Sequence, residues 1–124
     1  MKSLNEVTGI IVDAAMQVHT RLGPGLLESA YEACLAYELT KRGFKCLTQV
    51  GLPLVYDEVK LDAGYRIDLL VEDTVIVELK AVEKVLPIHE AQLISYLKLS
   101  GKKVGLLINF HVKHLKDGIM RRVN

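Results

Sequence analysis

Asp68, Glu78 and Lys80 carry the types and spacing in this sequence that could do chemistry. Glu78 and Lys80 interrupt the apolar run Val75-Ile76-Val77-Glu78-Leu79-Lys80. Strand alternation puts both on one face with Ile76, and Val75, Val77 and Leu79 on the other. In the preceding run, Arg66 to Val71, Asp68 shares a face with Arg66 and Leu70. A hairpin joined through Glu72-Asp73-Thr74 pairs Val71 with Val75 and Leu70 with Ile76, and sets Asp68 opposite Glu78. A two-residue connection would send the carboxylates to opposite faces. The three-residue register is preferred because it matches apolar with apolar, although its turn has no glycine.

Two carboxylates facing each other across strands repel by roughly 4 kcal/mol at about 4 Å and an effective dielectric near 20. Lys80 offsets part of this. A hard divalent cation, taking oxygen ligands from one or two carboxylates with water and phosphate, offsets more. The pattern alone is equally compatible with a solvated hairpin face carrying ordinary surface charges.

The elements that must position these residues follow from periodicity. Leu4, Val7, Ile10, Ile11, Ala14, Ala15 and Val18 predict an amphipathic helix, capped by Ser3 or Asn5 and stopped before Gly23-Pro24-Gly25. A second helix runs from about Leu26 to Gly43. The segments FKCLTQV, LPLVYDEVKL, YRIDLLV and TVIVELK predict an antiparallel meander of three or four strands. After Pro87 comes a third helix, ended by Gly101, then the apolar strand KVGLLINF and a basic tail with room for a short edge strand. The order helix, helix, three or four strands, helix, strand defines a mixed α/β class in one domain spanning 1–124.

Composition narrows the functions. Half of the 124 residues are hydrophobic, and 16 basic against 15 acidic residues leave a net charge of +1. No global field draws the chain to nucleic acid or to a membrane, so any such site is local. Cys34 and Cys46 are too few for a disulfide framework or a zinc ligand set and read as reduced thiols. With no run long enough to cross a bilayer, a soluble, cytoplasmic protein is expected.

Asp68 followed by Val77-Glu78-Leu79-Lys80 resembles the D…(D/E)xK signature of the PD-(D/E)XK nuclease superfamily. Gly25-Leu26-Leu27-Glu28-Ser29-Ala30-Tyr31 resembles the GxxExxY signature of a small family assigned to it, and Gln92-Leu93-Ile94-Ser95-Tyr96 resembles its QxxxY element. The likeness extends through YRIDLLVE, VIVELKAV, AQLISYLK and VGLLINF, to about Arg122. Ile67 stands where the superfamily often has proline.

The resemblance implies a restriction-endonuclease-like core: a central mixed sheet of four to five strands flanked by helices. It implies Mg²⁺ or Mn²⁺ on Asp68, Glu78 and the Leu79 carbonyl, a further carboxylate from Glu28, and Lys80 orienting or deprotonating the attacking water. The substrate would be nucleic acid, DNA ahead of RNA. The alternative is a catalytically silent binding module on the same fold; a transition-metal accessory protein ranks last.

Several residues stay open. Gln92 and Tyr96 lie one turn apart, with His89 three residues earlier, as either a polar stripe facing the site or a surface helix with a half-buried tyrosine. Tyr31 either positions Glu28 or packs in the core. His111 and His114 read as a solvated loop. Lys102, Lys103, Lys113, Lys116, Arg121 and Arg122 form either a phosphate-contacting strip or solvated surface. A two-fold dimer would give so small a domain more surface to grip a duplex.

Overall fold

In a computed structural model, which describes residues 2–124, α1 (Leu4–Leu22) starts at a reciprocal cap. The Ser3 hydroxyl accepts the Glu6 amide, and Glu6 reaches back to the Ser3 amide. Its apolar stripe, Val7, Ile11, Ala14, Ala15 and Val18, is buried. Helix α2 (Glu28–Lys41) begins two residues later than the periodicity predicts. The preceding loop takes the shape of its own glycine: Gly25 sits at φ +102°, a conformation side chains resist.

The main sheet has the order β1-β4-β5-β6-β7. Strands β1 (Cys46–Gly51), β4 (Arg66–Val71) and β5 (Val75–Lys80) are antiparallel neighbours. Strand β6 (Val104–Asn109) then lies parallel to β5, reached through the crossover helix α3 (Pro87–Ser100). Strand β7 (Ile119–Val123) closes the edge antiparallel to β6 and follows a 3-10 turn at Leu115–Gly118. The expected mixed sheet and flanking helices are present, and the tail supplies a fifth strand.

The meander departs from expectation in one segment. LPLVYDEVKL does not join the main sheet; it forms a separate hairpin, β2 (Leu54–Tyr56) with β3 (Val59–Leu61). Strand β1 instead pairs directly with β4, Cys46 with Val71 through Gly51 with Arg66. Pro53 withholds an amide where a continuing strand would need one. Val55, Tyr56, Val59 and Leu61 are consequently exposed, which alternation alone would not suggest.

Helices cover both faces of the sheet. On one side α1 and α2 bury Leu69, Val71, Val75, Val77 and Leu79. On the other, Leu93, Tyr96 and Leu97 of α3 cover Leu70, Ile76 and Leu107. Gly105 permits this approach, because a Cβ there would meet Leu93 Cδ1 at 2.7 Å. Burial of each such aliphatic side chain contributes about 1.5–3 kcal/mol. The charged strand end is therefore mounted on a core packed from both sides.

Candidate metal and phosphodiester site

The β4–β5 hairpin has the preferred register: Val71 pairs with Val75, Leu70 with Ile76 and Leu69 with Val77. The glycine-free turn is made by Glu72 and Asp73, at φ +52° and +57°, with the Thr74 amide donating to the Val71 carbonyl at 3.0 Å. The pairing stops one position before Asp68 and Glu78, and their side chains take over from the backbone. The Asp68 amide donates to Glu78 Oε2 at 2.9 Å, and the Leu79 amide to Asp68 Oδ2 at 2.8 Å. Each carboxylate thus caps an amide of the opposite strand.

This exchange also breaks the alternation of β4. Leu70 faces α3, yet Asp68 lines a concavity of about 330 Å³ with Leu79 and with Glu28 and Glu32 of α2. Glu78 is 4% exposed. Burial first, then the charge of Asp68, lifts its carboxyl to about 8, against the pull of the Asp68 amide and the Lys80 ammonium. Without a cation, the crowding of the two carboxylates is relieved by a proton on Glu78, and burial outweighs repulsion as the cause. Glu78 Oε1 makes no hydrogen bond among the described residues, and no side-chain oxygen there is both buried and unpartnered, so Oε1 keeps contact with solvent.

Each further predicted residue has a definite place. Glu28 opens α2 and lines the same concavity as Asp68. Lys80 ends β5, where it pairs with Asn109. Tyr31 is fully buried and stacked on Phe110 at 4.4 Å. Its hydroxyl donates to the Gly23 carbonyl at 2.6 Å and accepts the Leu26 amide at 3.1 Å. It therefore fixes the loop that delivers Glu28 rather than touching the carboxylate itself. Gln92 donates to the Tyr96 hydroxyl at 3.0 Å. Burial and then the Glu78 charge push the Tyr96 phenol above its ordinary value. His89 differs from its companions: Nδ1 accepts the Leu86 amide at 3.0 Å and completes the start of α3. His111 and His114 are exposed.

Three residues enter the site that sequence reasoning missed. Gln49, at φ +51°, donates through Nε2 to Glu32 Oε1 at 2.6 Å and to Asp68 Oδ1 at 3.3 Å. Glu32 lies one helical turn after Glu28, a spacing that could have revealed it. Its carboxyl is raised by burial, partly offset by the Gln49 bond, with Asp68 and Glu28 adding repulsion. Asn109, 3% exposed, bonds both the amide and the carbonyl of Val82 and accepts the His111 amide, fixing the chain just beyond Lys80. A lone amide ending an apolar strand was its signal.

No group of three or more His, Cys, Asp or Glu side chains is gathered to hold a metal among the described residues. The donor set is two adjacent carboxylates, each with one oxygen anchored by an amide. That suits a hard cation completed by water and substrate phosphate, and not a closed protein cage.

A mixed sheet with a crossover helix, opened between an aspartate strand and a Glu-Leu-Lys strand, is a restriction-endonuclease-like architecture. The family model described as the PD-(D/E)XK nuclease superfamily matches residues 5–123, and the chain belongs to that superfamily. No curated protein and no solved structure matches it.

Proposed function

We propose that the protein is a metal-dependent nuclease hydrolysing phosphodiester bonds, of DNA ahead of RNA, and that it falls in the GxxExxY group of its superfamily. The observation that carries this reading is the Asp68–Glu78 exchange at the end of an apolar hairpin with Lys80 two residues on. A buried carboxyl set against a second one with no chemistry to perform would weaken the fold for no return.

In this reading Asp68 and Glu78, the Leu79 carbonyl and Glu28 hold Mg²⁺ or Mn²⁺. When bound, the cation lowers the pKa of its water and polarises the phosphoryl group. The protein's own residues do the rest. Glu78 gives up its proton as it becomes a ligand, so binding is coupled to pH. The Lys80 ammonium orients the attacking water and stabilises charge developing on the phosphate. Gln92 and Tyr96, bonded to each other on α3, support the site from the helix that covers the sheet; Tyr31 and His89 act through the loop and helix they fix. Cys34 and Cys46, both free thiols, support a reducing, cytoplasmic setting, and no helix among the described residues is long and apolar enough to cross a membrane. A two-fold dimer, which light scattering would detect, completes the reading.

The test is incubation of the protein and Lys80→Ala with labelled single-stranded, duplex and branched DNA, and with RNA, in Mg²⁺, Mn²⁺ or chelator. Metal-dependent cleavage by the wild type and its loss in the variant are expected. Equal cleavage by both, or none on any substrate, overturns the reading.

A further inference from the structure

The six basic residues from Lys102 to Arg122 do not act as one strip. Lys102 pairs with Asp73 at 3.5 Å, Arg122 with Glu90, and Arg121 donates to Asn5 Oδ1 at 2.7 Å. Lys103 stands at the start of β6, the opposite end of the sheet from Lys80. Lys113 and Lys116 are different. Both are exposed, and neither takes part in an ion pair among the described residues.

These two lysines, with His114, form one wall of a groove of about 440 Å³. The end of α1 and Gly23-Pro24 form the other. Both walls are braced. His19 Nε2 bonds the Val112 carbonyl at 2.8 Å, Leu115 is buried beneath the lysines, and the Tyr31 hydroxyl holds the Gly23 carbonyl. The braced backbone fixes where the two lysines leave the wall, so that only their side chains remain to be ordered on binding.

The groove lies at the chemical end of the molecule. Strands β5 and β6 are parallel, so Lys80 and Asn109 finish on the same edge, and the 110–118 segment emerges there. The loop whose Gly23-Pro24 lines the groove runs directly into Glu28, which lines the carboxylate concavity. One short loop separates an acidic depression from a cationic one.

We propose that this groove seats the phosphodiester backbone of the nucleic-acid strand flanking the scissile bond, with Lys113 and Lys116 each contacting a phosphate. The assignment rests on the nuclease reading for its direction, but its test does not require turnover. Each neutralised phosphate contributes about 0.9 to the slope of log affinity against log salt on duplex DNA.

Full-length wild type, Lys113→Ala/Lys116→Ala and a control, Lys102→Ala/Lys103→Ala, are titrated with fluorescent duplex DNA and single-stranded RNA in chelator over a salt series. For the duplex, the groove variant is expected to lose about 1.8 from the slope and to bind several-fold more weakly at low salt, while the control retains the wild-type slope. Undiminished binding by the groove variant, an equal loss in the control, or no binding by the wild type overturns the groove. A companion assay follows Mn²⁺-dependent hydrolysis of bis(p-nitrophenyl) phosphate, which is too small to reach the lysines. Groove-dependent binding with no hydrolysis by the wild type of this diester or of any labelled nucleic acid removes the nuclease reading and leaves the groove standing. Hydrolysis with unchanged binding does the reverse.

Discussion

At the turn end of the β4–β5 hairpin, Val71 faces Val75 and Leu70 faces Ile76 in a regular ladder with apolar side chains packed against helices on both faces. Two residues further along the same register, Asp68 and Glu78 replace the ladder with side-chain-to-amide bonds. The backbone donors are satisfied in both regions, by carbonyls in one and carboxylates in the other. The difference lies in what is left over: among the described residues, the exchange leaves Glu78 Oε1 without a hydrogen bond and Asp68 Oδ1 held only by Gln49 at 3.3 Å. The apolar end determines where the strands lie, and the charged end is held open by that constraint.

The comparison breaks most sharply under Asp68→Asn. The amide oxygen can still accept the Leu79 amide, so the fold should persist, while cleavage should fall by about 10²–10³-fold with the lost charge. Single-turnover cleavage alongside a thermal melt checks both halves. Retained activity would mean that the opened register is only structural.

The next effect is in pH. Glu78 holds its proton to about 8 in the folded protein, against 4.5 as its ordinary value. The folded state therefore binds more protons between those values, and stability falls as pH rises through the window. The full penalty, on the order of 5 kcal/mol, is present above about pH 8. Denaturant melts in chelator should show this decline in the wild type and a flatter profile in Glu78→Gln. Added Mg²⁺ should restore stability at high pH, because the cation takes the place of the proton.

At the apolar end, Val75→Ala removes two buried methyl groups' worth of contact and should cost about 2 kcal/mol of stability. Metal affinity of the folded fraction should not change, and titration calorimetry below the melting range would show whether the two ends are separable.

Much of this contrast was legible in the sequence because it depends on period-two patterning, which register converts directly into neighbours. Leu70 opposite Ile76 was enough to bring Asp68 to Glu78. The β2–β3 excursion was not legible, since LPLVYDEVKL has strand-forming residues and only Pro53 hints that it leaves the sheet. Nor was Gln49: its place between Glu32 and Asp68 depends on a positive φ that no neighbouring residue announces. Tyr31 was visible as part of a motif, but its partners, Gly23 and Leu26, become neighbours only once the loop is folded. Local pattern reports strand faces well and reports loop closure poorly.

The Glu72-Asp73 turn has a practical consequence for anyone wishing to strengthen this protein. Two non-glycine residues hold left-handed backbone there, so the hairpin keeps its register through packing while its turn remains suboptimal. Glu72→Asn with Asp73→Gly would install the pair such turns prefer and should raise stability by a few tenths to about 1 kcal/mol, even after loss of the exposed Lys102 contact and the Glu72 bond to the Lys45 amide. A melt of that variant beside the wild type measures the gain. Mutational tolerance can thus be added at a point remote from the carboxylates, giving a sturdier scaffold on which riskier changes near Glu78 and Lys80 could be tried.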